Sequence, residues 1–440
     1  MLKRLSEAQR VVVTGLGVVA PGASDIPSFE RLLRQGRSAI QHDPELERLG
    51  FGCHISARCT LSQEVLDRYL DALAQRRLRN AALRFALVAA LQAYESSGLA
   101  EPTDKARARF GVIFGAGLPG IDVLRDGLRD IDDGRVKRLG SAMIQMQMPS
   151  SAAAIVAGKL GFAGQVSCNA AACATGTEAL CLGIERIRWG LADVLLVGSC
   201  ESQGAHLWGP FDALGVLCRA FNHAPERASR PLSGQAAGFV PGGGAGALVL
   251  ESLSHALERG APIYCEVLGG AVNSGGQRDG GSMTASSPVG IARCIRSALE
   301  DARVTGHEVD AIAGHLTATA NDAIEVECWS QALGRSGRSF PRINALKSLI
   351  GHGLSASGSI ELVAAALQLR GRFLHASLNS DDLHPRISGI LHEDCIVRES
   401  QGSSFQTLAK ASFGFGDVNA CAILTRWELP SCNETKSFIN

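Results

Sequence analysis

The chain has 440 residues, 46% of them hydrophobic and 50 of them glycine, a composition typical of a tightly packed α/β protein of one to three domains. Lysine plus arginine and aspartate plus glutamate both number 43, so charge gives no case for binding nucleic acid or an anionic membrane. The 13 cysteines include no CxxC pair, which favours a reducing compartment, and we expect a cytoplasmic protein and not a disulfide scaffold.

The first apolar run, VVVTGLGVVA, resembles the core of a secretory signal but is short and interrupted by two glycines. It predicts a buried strand over residues 10–17 that ends in a glycine turn. Helices are predicted at 26–36, 61–69 and 78–99, and a second buried strand at 110–117. No run approaches the ~18 apolar residues that a transmembrane helix needs, so we expect no membrane insertion.

Residues 139–158 hold three of the five methionines, Met143, Met146 and Met148, ahead of a predicted helix of small residues. Flexible thioethers can line an adaptable apolar cavity, and they also fill ordinary gaps in a core. Both interpretations stay open on the residues alone.

The stretch 165–188, QVSCNAAACATGTEALCLGIERIR, is the one around which the rest of the chain is interpreted. A strand-like run ends in small residues, Cys173 follows, and apolar residues three and four apart then predict a helix. The N-terminus of a helix carries partial positive charge and unpaired N–H groups, which favour a thiolate. Cys173 is therefore a candidate nucleophile, although a lone cysteine is more commonly a buried core residue.

Strands alternate with helices beyond this point, and the pattern begins again near residue 255. The predicted elements are strands at 192–199, 263–269, 309–314, 342–345, 408–414 and 420–425, a glycine-rich hairpin at 239–251, helices at 289–302 and 356–369, and an irregular polar loop at 209–231. The repeat predicts two α/β halves of related architecture, 1–254 with the candidate nucleophile and 255–428, followed by a polar tail at 429–440.

Two histidines of the second half follow strand-like runs. His315 lies in AGHLTATANDAIE, and His352 lies in KSLIGHGLSASG five residues after Lys347. A Cys–His pair alone fits either a protease or an acyltransferase. The second histidine and the lysine favour chemistry in which two Nε2–H groups stabilise an enolate oxygen, and the glycines of SFGFGDVN would let backbone N–H groups point into the same cavity.

These motifs resemble those of the β-ketoacyl-acyl-carrier-protein synthases of the elongating type, over about residues 10–427. The resemblance rests on ordered motifs along the chain, namely RVVVTGLG, AACATGTEAL, RASRPLSGQAAGFV with GGGAGALVLE, HLTAT, KSLIGH and FGFGDVN. It implies a thiolase-like fold, in which two related α/β halves pack as a layered α-β-α-β-α sandwich. It also implies a homodimer, or a heterodimer with a second synthase-like subunit.

Carried over residue by residue, the resemblance implies a decarboxylative condensation of an acyl thioester with malonyl-acyl-carrier-protein. Cys173 would take the acyl chain, and His315 and His352 would hold the malonyl thioester carbonyl while CO₂ leaves. The amides of Cys173 and Phe415 would form the oxyanion hole, and Phe415 and Phe211 would gate the acyl pocket.

The resemblance also implies supporting residues. Lys347 would pair with Glu325 and orient His315, and Thr317 and Thr319 would bind the phosphopantetheine arm of acyl carrier protein. Met143, Met146 and Met148 would line the acyl pocket. No metal and no permanently bound cofactor is expected, because the substrates arrive on the carrier protein.

The sequence departs from the resembled pattern near both active-site turns. Leu316 replaces the glycine that follows the first histidine, and the spacing from His315 to Glu325 is one residue shorter than usual. Asp417 stands where a glycine is expected, and a carboxylate there would disfavour malonyl binding or change the motion of the gate. These departures favour a specialised synthase of secondary metabolism, of the polyketide or aryl-polyene type, over an enzyme of fatty-acid biosynthesis, which stays the alternative.

Other functions of the same fold remain to be weighed. A thiolase would need a second catalytic cysteine in a glycine-rich motif, whereas Cys421 lies in a predicted strand. An initiating synthase would carry asparagine in place of His352. A non-catalytic, chain-length-setting partner subunit would have lost Cys173, and a mainly decarboxylating enzyme would release CO₂ without extending a chain.

Overall fold

Strands rich in valine and isoleucine alternate with helices of small residues in the computed structural model, which describes residues 5–428. The predicted polar tail at 429–440 lies outside the described residues. The strands are β1 (Val11–Val19), β2 (Gln41–His42), β3 (Ile55–Ser56), β4 (Phe110–Ala116), β5 (Val166–Ser167), β6 (Val194–Glu201), β7 (Gly244–Ser252), β8 (Cys265–Ser274), β9 (Ala311–Ala313), β10 (Arg342–Asn344), β11 (Phe373–Leu374), β12 (Gln401–Gly402), β13 (Thr407–Gly414) and β14 (Val418–Arg426).

The helices begin at recognisable caps in several places; α1, for example, has Asp25 and Ser28 in a capping box. In chain order they are α1 (Ile26–Gln35), α2 (Pro44–Arg48), α3 (Gln63–Tyr69), α4 (Ala72–Arg77), α5 (Ala81–Ser97), α6 (Asp104–Arg107), α7 (Ile121–Asp132), α8 (Met143–Gln147), α9 (Ser151–Leu160), α10 (Thr175–Arg188), α11 (Ala205–Ala213), α12 (Leu253–Glu258), α13 (Pro288–Ala302), α14 (Asn321–Leu333), α15 (Lys347–Ile350), α16 (Ser357–Gly371) and α17 (Pro385–Ser388). No helix within residues 5–428 is long and apolar enough to cross a bilayer.

One strand topology occurs twice. The 10-stranded mixed sheet has the order β10-β9-β13-β14-β8-β1-β7-β6-β4-β5. In the first half β1 and β7 are antiparallel, as are β7 and β6, and β6, β4 and β5 run parallel. In the second half β8, β14, β13, β9 and β10 repeat those relations in the same order. The halves join through β1 and β8, and the predicted boundary after residue 254, which stays a prediction, falls inside α12.

The helices lie in three layers around these strands. Helix α5 covers β1, β6 and β7 on one outer side, and α13 covers β8 and β14 on the other. Helices α10 and α16 contact strands of both halves and form the middle layer. Every residue of α16 from Ser357 to Leu369 is buried, as expected of a helix that packs between two layers of strands. The layered α-β-α-β-α sandwich of the thiolase-like fold is therefore confirmed.

Glycines let the middle layer close tightly. A Cβ on Gly176 of α10 would lie 2.2 Å from the backbone nitrogen of Ser359 in α16, and one on Gly246 of β7 would lie 2.6 Å from that of Ile360. No larger residue fits at either position without moving backbone. The first turns of α10 and α16 are thereby held against each other and against β7.

The predicted strands and long helices are found, with three differences. The predicted hairpin at 239–251 contributes the single strand β7, which pairs with β1 and β6. The predicted loop at 209–231 begins with the end of α11. Helices α7 and α14 were not predicted, and in α14 the buried carboxylates Asp322 and Glu325 interrupt the apolar pattern by which a helix is recognised.

Candidate active site

Cys173 lies in a tight turn at the start of the middle-layer helix α10. Ala172, the residue before it, has a φ of 46°, and residues 172–174 form one turn of 3-10 helix. The hydroxyl of Thr175 accepts from the Ala171 N–H at 2.9 Å and donates to the Ala172 carbonyl at 2.7 Å. A backbone conformation that costs a non-glycine residue about 1–3 kcal/mol is thus held in place by its neighbours.

Cys173, His315 and His352 come together in one place. The sulfur of Cys173 and one ring nitrogen of each histidine all lie within 4.8 Å of one another. The two imidazole rings have centroids 5.6 Å apart and planes at 82°. His315 follows β9 and His352 precedes α16, so the second half brings both imidazoles to the sulfur of the first.

Hydrogen bonds fix the proton of each imidazole on Nε2. The Nδ1 atom of His352 accepts the backbone N–H of Leu354 at 3.1 Å, so it carries no proton. The Nδ1 atom of His315 lies 3.5 Å from the ammonium of Lys347, which can only donate. Both histidines therefore present an Nε2–H donor, as two ligands of a single enolate oxygen require.

Burial and positive charge keep these imidazoles neutral. Burial holds the pKa of both His315 and His352 well below the usual range. The positive charges of Lys347 and Lys410 lower both pKa values further. Burial also raises the pKa of the Cys173 thiol to about 11. The charge of Lys347 and a hydrogen bond from the Phe415 backbone N–H to the sulfur lower this pKa, but by less. Burial therefore outweighs the groups that favour a thiolate.

The predicted pairing of Lys347 with Glu325 is wrong. The Lys347 ammonium contacts the carboxylate of Glu361 at 2.5 Å and donates to the His315 carbonyl at 2.6 Å. Glu325 instead accepts the backbone N–H groups of His315 at 2.7 Å and Leu316 at 2.8 Å. It turns toward its own loop because these buried N–H groups need an acceptor. Lys347 contacts His315 directly while it is paired with Glu361, and its orienting role stays a prediction.

Sequence interpretation missed two charged groups behind the histidines. Glu361 lies in α16, and Lys410 lies in β13 with its side chain fully buried. The Lys410 ammonium is 2.9 Å from the second carboxylate oxygen of Glu361 and 2.9 Å from the hydroxyl of Ser412. The signal was present, since each is a lone charge inside an apolar run, SIELVAAAL and TLAKASFG, and a buried charge needs a partner.

A cavity of about 400 Å³ opens beside the sulfur. The Phe211 and Phe415 rings stand at its side with centroids 6.1 Å apart, and the Thr317 and Thr319 hydroxyls are 3.0 Å apart. The predicted site residues that line it are Cys173, Phe211, His315, Thr317, Thr319, Glu325, His352 and Phe415. The absence of a side chain at Gly414 allows the loop that carries Phe415 to approach Cys173, since a Cβ at Gly414 would lie 3.1 Å from the Cys173 nitrogen.

The three methionines are not among the residues that line this cavity. Met143 and Met146 are 8% and 3% exposed and belong to the apolar cluster that also holds residues of α5 and α9, while Met148 is 43% exposed. A Cβ on Gly127 would meet the terminal carbon of Met143 at 2.0 Å. The structure therefore supports ordinary core packing for Met143 and Met146, and the acyl-pocket role stays a prediction without support from the cavity.

The two unusual residues both adopt positive φ. Leu316 has a φ of 23° and Asp417 one of 60°. The sequence predicts the Asp417 carboxylate at the cavity mouth, and the structure places it elsewhere. It is fully buried and accepts the backbone N–H groups of Gln277 at 2.9 Å and Ser287 at 2.8 Å.

Comparison with known proteins covers nearly the whole chain. Residues 8–256 match the family described as beta-ketoacyl synthase, N-terminal domain, and residues 264–381 match its C-terminal domain. The chain is 33% identical to 3-oxoacyl-[acyl-carrier-protein] synthase I, chloroplastic, of Arabidopsis thaliana, over 94% of this chain and 85% of that protein.

Solved structures give the same result. A ketosynthase from the complex AntDE:AntF, a type II PKS acyl-carrier protein with its ketosynthase bound to the hexaketide, is 31% identical with a TM-score of 0.85, covering 95% of this chain and 99% of that one. The ishigamide ketosynthase/chain length factor is 26% identical with a TM-score of 0.83, at 95% and 99% coverage. The chain therefore belongs to the β-ketoacyl synthase family, the acyltransferases that condense acyl groups with malonyl-acyl-carrier-protein.

Proposed function

We propose that Cys173 carries the acyl chain and that His315 and His352 activate the malonyl unit, in a synthase of polyketide or aryl-polyene type. The convergence of the Cys173 sulfur and one ring nitrogen of each histidine within 4.8 Å carries the catalytic part of this proposal. The similarity to a type II PKS ketosynthase supports its pathway part. Acyl carrier protein would deliver both substrates through the Thr317 and Thr319 side of the cavity. The resemblance to a ketosynthase complexed with its carrier protein supports that partner, and a homodimer or heterodimer is proposed on the same ground.

In the first step the sulfur of Cys173 attacks the acyl thioester. The carbonyl oxygen becomes an oxyanion that accepts the backbone N–H groups of Cys173 and Phe415. The bond to the pantetheine sulfur breaks, and that sulfur leaves with the proton that Cys173 gives up. Burial raises the pKa of Cys173 to about 11, so this proton is still present when the substrate arrives.

In the second step the malonyl thioester loses CO₂. The electron pair of the broken carbon–carbon bond stays with the thioester and makes it an enolate. The Nε2–H groups of His315 and His352 both bind the enolate oxygen, and neutral imidazoles do so without losing a proton. The enolate carbon then attacks the acyl carbonyl on Cys173, and the carbon–sulfur bond breaks. The product is a β-ketoacyl thioester on the carrier, and the released Cys173 thiolate takes a proton from water.

The roles are separated by following two readouts, the mass of the acylated protein and the release of CO₂ from malonyl-carrier. In Cys173→Ala we expect no acyl adduct and no condensation, with decarboxylation retained. In His315→Ala and His352→Ala we expect the acyl adduct to form while decarboxylation falls about 10²–10³-fold, as on loss of one oxyanion donor.

Equal loss of both readouts in Cys173→Ala would contradict this division of roles. A wild-type protein that accepts no acyl group from any carrier donor would favour the alternative of a non-catalytic partner subunit. The pathway is tested by the mass of the acyl group retained on Cys173 after expression. A polyene or polyketide mass supports the proposal, and a saturated fatty acyl mass would overturn its secondary-metabolic part.

A further inference from the structure

A second group of possible metal ligands lies outside the active site, on the segment from β2 to β3. His42 ends β2, Glu47 lies in α2, and His54 precedes β3. One nitrogen of each imidazole and one oxygen of the carboxylate all lie within 4.8 Å of one another. The His42 Nε2 atom is 3.1 Å from Glu47, and the His54 Nδ1 atom is 3.9 Å from it. We refer to these residues as the surface triad.

The ring of His54 already has the tautomer of a metal ligand. Its Nε2 atom lies 2.9 Å from the carbonyl oxygen of Phe51, which can only accept, so Nε2 carries the ring proton. The Nδ1 atom, left without a proton, lies 3.9 Å from a carboxylate oxygen of Glu47. A cation between these two acceptors would satisfy both, and a histidine whose other nitrogen donates to a carbonyl is the common arrangement in metal sites.

The backbone that carries the surface triad is held by bonds independent of any metal. Strands β2 and β3 are paired, and the Asp43 N–H donates to the His54 carbonyl at 2.7 Å. The Asp212 carboxylate accepts the backbone N–H groups of residues 52 and 53, and Asn222 accepts that of His54 at 2.9 Å. Binding a metal therefore requires small side-chain adjustments and no folding of a loop.

We propose that the surface triad binds a divalent transition metal, with Zn²⁺ as its best occupant. Two imidazole nitrogens and one carboxylate oxygen suit Zn²⁺, whereas Mg²⁺ and Ca²⁺ prefer oxygen ligands throughout. All three side chains are at least partly exposed, which leaves a fourth position for water. A metal here would fasten α2 to the residues before β3.

The fastened segment borders the wall of the catalytic cavity. Phe51, whose carbonyl orients His54, packs with the apolar cluster that contains Phe211, and a Cβ on Gly209 would lie 3.6 Å from its ring. Asp212, which holds residues 52 and 53, directly follows Phe211 in α11. The metal is therefore expected to stabilise this wall, and its binding does not depend on the proposed catalytic roles.

The test is calorimetric titration of the metal-stripped full chain with Zn²⁺ at neutral pH. Cys173, His315 and His352 also form a three-ligand group, so the titration uses a Cys173→Ala background. We expect one saturable Zn²⁺ per chain and a rise in melting temperature. Adding His42→Ala, or Glu47→Gln with its conserved shape, should weaken binding at least about tenfold and abolish the rise.

His307→Ala, which removes an exposed histidine elsewhere, is the matched control and should bind Zn²⁺ as its parent does. Equal Zn²⁺ binding by the parent and both triad variants would overturn the proposal. So would the absence of saturable Zn²⁺ binding in the parent.

Discussion

Glu361 lies between two buried ammonium groups, those of Lys347 and Lys410. Burying a cation is costly, and burial lowers the pKa of Lys410, so a lysine here must be compensated by its partners. Lys347 contacts His315 directly. Lys410 reaches the histidines through its charge and through Glu361, which makes it a positioning residue.

Replacing Lys410 with methionine tests this role with little change of volume. Lys410→Met removes a positive charge that lowers the pKa of His315 and His352, so both pKa values should rise. Because the donors act as neutral imidazoles, activity is lost as the pH falls through these pKa values. The acidic limb of the decarboxylation profile should therefore move to higher pH.

The control for that measurement is Lys159→Met, which removes a half-exposed lysine from α9 and should leave the profile unchanged. Melting temperatures of both variants verify folding. An acidic limb at the same pH in Lys410→Met and wild type would show that Lys410 has no electrostatic role at the site.

Asp417 acts at the scale of the elements, because it joins the gate loop (residues 414–418) to the cover segment (residues 275–287). Besides the two bonds of its carboxylate, its carbonyl accepts the Gly275 N–H at 3.0 Å, and the Gly416 N–H donates to the Met283 carbonyl at 2.9 Å. The cover segment leads from β8 to α13, and its Thr284 lines the cavity. The gate and the cover are therefore expected to move together.

Asp417→Asn should uncouple them. Asparagine offers one acceptor oxygen where aspartate offers two, so one N–H group of Gln277 or Ser287 loses its partner, at a cost of about 1–3 kcal/mol. We expect faster hydrogen exchange of these two amides and faster alkylation of Cys173. Asp279→Asn, an exposed change in the same segment, is the control, and unchanged exchange in Asp417→Asn would contradict the coupling.

Elements that bury a continuous apolar run were predictable, and those that bury charge were not. Strands such as β1 and β4 follow directly from their valine and isoleucine content, and the turns at Cys173 and His352 follow from small residues next to apolar runs. Helix α14 was not predicted because its buried residues include the carboxylates Asp322 and Glu325, which interrupt the apolar pattern. Sequence spacing also misassigned the partner of Lys347, because the choice between Glu325 and Glu361 depends on which backbone N–H groups need an acceptor.

At the scale of the whole molecule, the repeated topology explains how the site is assembled. Helix α10 lies between β5 and β6 of the first half, and α16 lies between β10 and β13 of the second, which are equivalent positions. Cys173 precedes α10 and His352 precedes α16. Packing two equivalent helices side by side in the middle layer therefore brings the nucleophile of one half to the histidine of the other.

This assembly depends on Gly176, where α10 touches the backbone of α16. In Gly176→Ala the new methyl group would lie 2.2 Å from the Ser359 nitrogen and 2.8 Å from the Gly358 carbonyl carbon, so the helices must separate. Overpacking of this kind costs about 1–3 kcal/mol, and the separation also moves Cys173 away from His352. We expect a lower melting temperature and a loss of condensation greater than the loss of folded protein.

Gly158→Ala in α9 is the matched control, in which the same chemical change should raise stability and not lower it. A Cβ at this helical position meets nothing within 4 Å, so alanine should stabilise the helix by about 0.5–1 kcal/mol and leave condensation unchanged. If Gly176→Ala behaved like Gly158→Ala, the two middle helices would tolerate separation. The contact between the halves would then not be what holds the sulfur and the imidazoles together.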